Sequence, residues 1–324
     1  MRFPFSDLRR HWTELRCRGF LAQLEYLGRR LSEKAQRKLN FSGIHRFTDR
    51  SRSNCRMLVI LAGYKPPLWP LVIPRIARHA PVDLDVCLCL PGGAAAEEMH
   101  RFAEQYDWSV LETDANLLSL AINLAIQKHP RAEYIFKLDE DMFIAEGFFE
   151  DLQSGLATVE EAGVHRPGLV VPVINVNGGT YLRFLDTVGQ REAYQSRFGE
   201  IRQACSGIAA HHDPAAAAFL WEHALPIDTV ADRFRAQGFG YETLPIRFSI
   251  GAFLMRRELW GNMGGFDVAA PGVLGWEEKQ VCEYCMDASR PIVVLRHVFA
   301  GHFAFGPQYE SQSDRLERGE LQID

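Results

Sequence analysis

Residues 134–143 read YIFKLDEDMF, an apolar run that ends in three acidic residues and then turns apolar again. The apolar residues predict a short buried strand. Because the side chains of a strand alternate between its two faces, Asp139 and Asp141 are expected on one face and Glu140 on the other. Two carboxylates at one end of a buried strand repel each other, and a divalent metal ion is the usual means of offsetting that repulsion. A charged turn after a strand explains this stretch alone equally well.

Strands and helices alternate along the chain on the amino-terminal side of this stretch. A predicted strand precedes a helix three times before YIFKLDEDMF is reached. The three earlier strands are residues 57–62, VDLDVCLCL at 82–90 and WSVLETD at 108–114. This order is typical of an α/β protein with a doubly wound, mostly parallel sheet. Ligands of such sheets bind beyond the carboxyl ends of the strands, which is where the acidic residues lie.

The second half of the chain is less regular. GLVVPVINVNG at 168–178 predicts another strand, and a helix-rich insertion follows at 205–240. GWEE at 275–278 begins a helix with two carboxylates in its first turn, where negative charge is favourable against the helix dipole. A late strand carries His297 and His302.

Neither of two common phosphate-binding glycine motifs follows the first predicted strand. The sequence has no GxxxxGK[ST] and no GxGxxG at that place. A bound nucleotide would therefore need another means of neutralising its phosphates. A metal ion held by Asp139 and Asp141 could take over that task.

Length and composition are those of an ordinary globular protein with a full core. With 324 residues, 47 % of them hydrophobic, the chain is long enough for one large α/β domain or two small ones. No apolar run approaches the ~18 residues of a spanning helix, and the start of the chain lacks the apolar region of a secretory signal. Seven cysteines in such a chain favour reduced thiols over a disulfide framework. A cytoplasmic protein is expected.

Charge is distributed unevenly. Residues 1–50 carry twelve Lys/Arg and five Asp/Glu, so their net charge of +7 contrasts with −12 for the remainder. The acidic body argues against extended nucleic-acid binding. Over residues 6–40, leucines recur at helical spacing with arginines between them. This amphipathic helix could lie on an anionic membrane surface or pack against protein. Residues 41–54 are polar and predict a linker.

The order of the motifs resembles the GT-A-fold glycosyltransferases, family-2-like bacterial enzymes in particular, over about residues 55–305. The matching pieces are the LAGYKP turn after the first strand, a D-x-D motif at residues 139–141, the segment SIGAFLMRRELWGNMGGFD, GWEE in place of an x-E-D motif, and a later histidine. The x-E-D position reads Glu277-Glu278, so Glu278 replaces the usual aspartate.

The resemblance implies the domain organisation. Residues 1–50 would be a basic amphipathic helical extension with its linker, and residues 51–305 the GT-A catalytic domain. Within that domain, residues 51–150 would bind the nucleotide-sugar and residues 151–305 the acceptor. Residues 306–324 would form a carboxyl-terminal tail.

The resemblance also implies a Mn²⁺ or Mg²⁺ ion. Asp141 would hold the ion directly, and Asp139 would contact the ribose or a bound water close to it. His302 would be the histidine ligand, with His297 as the alternative. A histidine ligand favours Mn²⁺ over Mg²⁺.

Six residues are implied to contact the nucleotide. They are Ala62, Gly63, Tyr64, Asp114, Asn123 and Asp139. Gly63 would let the backbone approach the base closely, and Tyr64 would stack on it. Asp83 and Asp85 are further candidates, although either could face solvent from its strand.

The x-E-D-like pair is implied to act on the acceptor. Glu278 would take the proton of the attacking hydroxyl as general base, and Glu277 would contact the acceptor. Direct displacement with inversion of the anomeric centre would follow. Both carboxylates could instead be charges that only favour the start of a helix.

These residues together predict a metal-dependent, inverting glycosyltransferase. It would move a hexosyl or N-acetylhexosaminyl group from a nucleotide-diphospho-sugar, a UDP-sugar in particular, to a glycan or lipid-linked acceptor in bacterial polysaccharide or lipopolysaccharide synthesis. Residues 1–40 would bring it to the inner face of the cell membrane as a peripheral protein. A sugar nucleotidyltransferase and a non-catalytic nucleotide-sugar-binding subunit of a synthesis complex are the alternatives.

Overall fold

A computed structural model of the protein describes residues 20–93, 96–204, 206–268, 275–303, 307–319 and 323. Helices surround a central ten-stranded sheet within these ranges. The strands are β1 (His45–Thr48), β2 (Arg56–Leu61), β3 (Leu84–Pro91), β4 (Ser109–Thr113), β5 (Tyr134–Asp139), β6 (Met142–Phe143), β7 (Leu169–Ile174), β8 (Tyr241–Leu244), β9 (Ala252–Arg256) and β10 (Ile292–His302). The helices are α1 (Phe20–Leu39), α2 (Trp69–His79), α3 (Ala96–Tyr106), α4 (Leu118–Lys128), α5 (Phe148–Glu161), α6 (Tyr181–Val188), α7 (Arg191–Phe198), α8 (Pro214–Glu222), α9 (Ile227–Arg235), α10 (Arg257–Met263), α11 (Trp276–Asp287) and α12 (Pro307–Glu317).

The strand order is β1-β4-β3-β2-β5-β9-β7-β10-β6, with β8 also paired to β10. Strands β4, β3, β2 and β5 are parallel neighbours, and β7 is parallel to β10. Strand β9 lies antiparallel between β5 and β7, so the two parallel blocks point the same way. The predicted α/β fold with a doubly wound, mostly parallel sheet is confirmed. The carboxyl ends of the parallel strands therefore share one edge.

The central strands are apolar because they are covered on both faces. Strand β3 is buried along its whole length, and β2 is buried from Met57 to Leu61. A parallel strand between two layers of helices favours a continuous apolar run over alternation. Polar side chains consequently collect at the strand ends.

Helix α1 confirms the predicted helix over residues 20–39, while residues 1–19 lie outside the described part of the chain. Leu27 and Leu31 are 56 % and 68 % exposed, so this part of the helix projects from the domain. No described helix combines the length and apolar composition that a membrane span needs.

The end of α1 is fastened to the domain by Asn40, which is fully buried. Asn40 Nδ2 donates to Asp267 Oδ1 at 3.0 Å and to the Gly264 carbonyl at 3.1 Å, and Asn40 Oδ1 accepts from the Val268 N–H at 3.0 Å. The Asp267 N–H in turn donates to Gln280 Oε1 of α11 at 2.9 Å. The helix is thus hydrogen-bonded, through one loop, to α11.

The sequence predicts that residues 41–54 are a linker. The structure shows that this segment also contains strand β1. This strand lies antiparallel to β4 and extends the sheet at its edge. Phe47 packs against the core, while Arg46 pairs with Glu112 at 2.8 Å. The four-residue alternation of HRFT is too short to stand out in a polar segment.

The predicted carboxyl-terminal tail also contains ordered structure. Helix α12 packs beside α8, and Arg315 pairs with Glu222 at 3.1 Å. The domain boundaries themselves stay a prediction.

Candidate metal centre and donor site

Sheet pairing brings two aspartates and one histidine together. Strand β5 ends at Asp139, and β6 begins after Asp141 and pairs with the end of β10, where His302 lies opposite Met142. One ligand atom each from Asp139, Asp141 and His302 lie within 4.8 Å of one another. Of the two predicted histidines, His302 is therefore the one that reaches the aspartates.

The alternative, His297, lies elsewhere. Its ring packs against Phe239 at 5.5 Å between centroids, where β10 is irregular between Leu295 and Phe299. Burial lowers the pKa of this imidazole. It is a packed side chain and has no place in the cluster.

Two buried side chains fix the backbone of His302. Asn175, at the end of β7, accepts from the His302 N–H at 2.9 Å, and Trp221 Nε1 donates to the His302 carbonyl at 3.0 Å. Both side chains are fully buried. Trp221 belongs to α8, inside the 205–240 insertion to which the sequence assigns no role. The insertion thus supports the cluster, and no local motif in the sequence indicates this.

Each aspartate has a lysine partner. Lys65 Nζ lies 2.5 Å from Asp141 Oδ2, and Lys137 Nζ lies 2.5 Å from Asp139 Oδ1. Burial on its own would raise the pKa of the Asp141 carboxyl, but His302 and Lys65 outweigh burial and hold this pKa well below its usual range. The Asp141 carboxyl is therefore held in its anionic form.

The residues present fit a divalent cation. Asp141 Oδ1 is buried and has no hydrogen-bond partner among the described residues, so a lone pair is free for an ion. Gly251 borders the cluster, and a Cβ there would lie 3.5 Å from His302 Cε1 and 3.6 Å from Asp139 Oδ2. Two carboxylates and one imidazole suit a hard to borderline ion such as Mn²⁺ or Mg²⁺.

The middle acid of the motif, Glu140, points away from the cluster, as predicted, although it lies in the turn after β5 rather than in a strand. Its carboxylate accepts from the Gly63 N–H at 2.9 Å, from the Tyr64 N–H at 2.8 Å and from Trp69 Nε1. Burial raises the pKa of Glu140, and the three donors oppose that rise. Gly63 has a φ of 137°, which favours glycine. Glu140 therefore shapes the turn that follows β2.

The predicted nucleotide-contact residues of this turn lie at the shared strand edge. Tyr64 is 49 % exposed, and its hydroxyl bonds to Asn116 after β4. Asp114 directly follows β4 and is exposed. Ala62, after β2, has a fully buried side chain and could contact a ligand only through its backbone. Their contacts with a nucleotide stay predictions.

The structure contradicts the predicted contact between Asn123 and the nucleotide, because every hydrogen-bonding group of this side chain already has a partner. Its amide donates to the carbonyls of Asn40 and Phe266 at 2.9 and 2.7 Å, and its oxygen accepts from Trp260 Nε1 and the Phe266 N–H at 3.0 and 2.8 Å. The side chain is fully buried. Asn123 is therefore a structural residue that joins α1, α4 and the loop after α10.

The further candidates Asp83 and Asp85 lie away from the cluster; Asp83 is half exposed, as the alternative prediction has it, and Asp85 is buried. Asp83 pairs with Arg56, and Asp85 accepts from the N–H groups of Arg52 and Asn54, each at 2.9 Å. Both lie at the amino end of β3, the edge opposite to the cluster.

The two glutamates of GWEE have different surroundings at the start of α11. Glu277 is 8 % exposed, and burial raises the pKa of its carboxyl; Lys137 opposes the rise, while Asp139 and Glu278 add to it. Glu278 instead accepts from Arg247 Nε at 2.5 Å. Glu277 is thus buried and subject to the charges of Lys137 and Asp139, whereas Glu278, the base that the sequence favours, is paired with Arg247.

No family model matches the chain, and no curated protein matches its sequence. Among 136 matching chains of solved structures is the mannosyltransferase PcManGT from Pyrobaculum calidifontis, solved in complex with GDP-Man and Mn²⁺. The two chains are 14 % identical with a TM-score of 0.47, and the match covers 92 % of this chain and 71 % of the other. A likeness of this size assigns no residue and no activity.

Proposed function

We propose that the protein is a metal-dependent glycosyltransferase that uses a nucleotide-diphospho-sugar as donor. The observation that carries the proposal is the Asp139–Asp141–His302 cluster at the carboxyl end of β5, beside the turn that Glu140 shapes. A divalent ion held there would offset the negative charge that the diphosphate gains as it leaves. The histidine in the ligand set favours Mn²⁺ over Mg²⁺.

The turn after β2 would receive the nucleoside. Tyr64 offers a half-exposed ring on which a base can stack, and Gly63 lets the backbone approach it. Asp114 lies at the neighbouring strand end for a contact with the ribose or the base. We infer a UDP-sugar as donor, with a hexosyl or N-acetylhexosaminyl group to transfer.

Glu277 is our choice for the general base, in place of Glu278. Its carboxyl is buried and subject to the charge of Asp139, and its raised pKa makes it a stronger proton acceptor once ionised. The acceptor oxygen would give its proton to Glu277 while it bonds to the anomeric carbon. The bond from that carbon to the diphosphate oxygen would break on the opposite side, with inversion. Glu278, paired with Arg247, would position the acceptor.

The acceptor would be a glycan or lipid-linked glycan of a bacterial surface polysaccharide or lipopolysaccharide. The exposed Leu27 and Leu31 of α1, together with the basic residues 1–40, support binding to an anionic membrane at its inner face.

The test is binding and turnover with purified protein. UDP and GDP should each be titrated with and without Mn²⁺, and UDP- and GDP-sugars then offered with glycan acceptors. Mn²⁺-dependent nucleotide binding and release of nucleoside diphosphate would support a transferase. Release of pyrophosphate from a sugar phosphate and a nucleoside triphosphate would instead make the protein a nucleotidyltransferase, and binding without any turnover a binding subunit.

A further inference from the structure

The Lys65–Asp141 ion pair is more buried than ordinary surface pairs. The Lys65 side chain is 15 % exposed and that of Asp141 is 1 % exposed, with 2.5 Å between Nζ and Oδ2. Charges taken out of water persist only when their partners are well placed. This pair therefore holds the ammonium at a defined position beside the cluster.

The acidic motif itself positions this lysine. Glu140 binds the N–H groups of Gly63 and Tyr64, the two residues before Lys65, and Asp141 binds the lysine side chain. Glu140 thus holds the backbone of the turn after β2, and the next residue, Asp141, holds the charged group of Lys65. The arrangement points to a lysine that belongs to the site.

An ammonium and a divalent cation compete at such a carboxylate. An ion bound by Asp141 and His302 would lie within a few ångströms of Lys65 Nζ, and like charges at that separation repel strongly in a buried site. Lys137, at Asp139, is held by a second bond to the Ile250 carbonyl at 2.6 Å and is 4 % exposed. Lys65 has no second hydrogen-bond acceptor among the described residues, and its other contact is the Tyr309 ring, whose centroid lies 5.7 Å from Nζ. Its flexible four-carbon stem is also more exposed than that of Lys137, so Lys65 is the lysine that is able to move.

We propose that Lys65 opposes divalent-ion binding at Asp141 and transfers its ammonium to the donor diphosphate when the nucleotide binds. A lysine is a common phosphate partner because it acts as a point charge. The metal would then bind weakly alone and tightly with nucleotide, and the coupling would be reciprocal. The nucleotide half of this proposal rests on the proposed function, whereas competition at Asp141 does not.

Lys65→Met tests both halves, since it keeps an unbranched stem of similar length and removes the terminal ammonium with its charge. Mn²⁺ alone is titrated calorimetrically into wild type and variant, followed by UDP and GDP in saturating Mn²⁺. Without nucleotide, the variant should bind Mn²⁺ about tenfold more tightly, because a cation near the ligand is gone. With Mn²⁺ present, it should bind the nucleotide about tenfold more weakly, because a charge-assisted contact is lost.

Two further variants control the result. Lys65→Arg keeps the charge and should keep weak Mn²⁺ binding. Lys128→Met removes a positive charge at the end of α4, before the amino end of β5, and should change neither affinity. Circular dichroism checks that each variant is folded, and Lys65→Gln replaces Lys65→Met if the latter is not.

The outcomes separate the two proposals. Unchanged or weaker Mn²⁺ binding in the charge-removed variant overturns the competition at Asp141. Tighter Mn²⁺ binding with unaltered nucleotide affinity overturns the transfer of Lys65 to the diphosphate. If wild type binds neither UDP nor GDP in Mn²⁺, the proposed donor is wrong, while the titration with Mn²⁺ alone still decides the competition.

Discussion

His302 Nε2 lies 3.3 Å from Asp141 Oδ2, and this contact joins the last strand of the sheet to the turn after β5. Neither residue could form the cluster from its own element. The antiparallel pairing of β10 with the short strand β6 places them side by side. The cluster therefore depends on this junction and on the residues that support it.

Asp141→Asn should abolish Mn²⁺-dependent nucleotide binding while the protein stays folded. An amide is a poor ligand for a hard divalent ion, whereas its shape matches the carboxylate. Calorimetric titration of Mn²⁺ and UDP measures the loss. Asp107→Asn, at an exposed position whose side chain is 61 % accessible, is the matched control. Nucleotide affinity equal to that of wild type would exclude Asp141 as a ligand.

Trp221→Phe should weaken Mn²⁺ binding without removing it. The substitution deletes the Nε1–H that holds the His302 carbonyl. Partners of a ligand's own ring typically contribute 10–100-fold to metal affinity, so loss of this backbone partner is expected to cost about tenfold at most. Trp260→Phe loses an indole hydrogen bond to Asn123 instead and serves as control. Equal losses in both variants would mean that the effect is general destabilisation rather than support of His302.

Glu277→Gln should stabilise the protein at neutral pH in the absence of metal. The folded-state pKa of Glu277 lies above its ordinary value of 4.5, so the ionised carboxylate costs stability. That cost is absent below the ordinary pKa, grows as the pH rises through the folded-state pKa and is then constant. The melting temperature of the variant should therefore exceed that of wild type at pH 7 and match it near pH 4.

The same substitution should lower kcat by about 10²–10⁴-fold if Glu277 is the general base. Glu278→Gln should instead raise KM for the acceptor, since Glu278 is held by Arg247 and would only position a hydroxyl. Steady-state kinetics of the two variants decide between them. A loss of kcat confined to Glu278→Gln would restore the assignment that the sequence favours.

Glu140→Gln should destabilise the fold and reduce nucleotide affinity together. Its carboxylate accepts from three N–H donors, and an amide would turn a donor toward at least one of them. An unsatisfied buried group of this kind costs about 1–3 kcal/mol, which urea denaturation can measure. Glu146→Gln, an exposed glutamate nearby, should leave the midpoint unchanged.

The sequence predicts what depends on local pattern. The predicted separation of Asp139 and Asp141 from Glu140 is found, although β5 ends at Asp139 and the turn after it, not strand alternation, produces the separation. The apolar runs locate the central strands. The resemblance adds His302, which lies in the last strand of the sheet. These features depend on the order of residues along the chain, so they can be predicted from the sequence alone.

What the sequence misses depends on contacts between distant segments. Asn123 looks like a ligand-binding amide, yet all its hydrogen bonds are taken by Asn40, Trp260 and Phe266. Trp221 donates a hydrogen bond to the His302 carbonyl from a distant segment, and no periodic pattern in the sequence indicates this contact. The register of Glu277 and Glu278 depends on how α11 is rotated toward the cluster, which a helix start alone does not determine.

The attachment of Asn40 has a mechanical consequence for the basic amino-terminal arm. From Asn40, a continuous path of hydrogen bonds passes through Asp267 to Gln280, one turn after Glu277 on the same helix. A force applied to α1 would therefore be transmitted to the helix that carries Glu277 and Glu278. A shortened chain that begins after Asn40 would lack these hydrogen bonds. Loss of activity in that chain could therefore result from a displaced α11 as well as from lost binding to a surface.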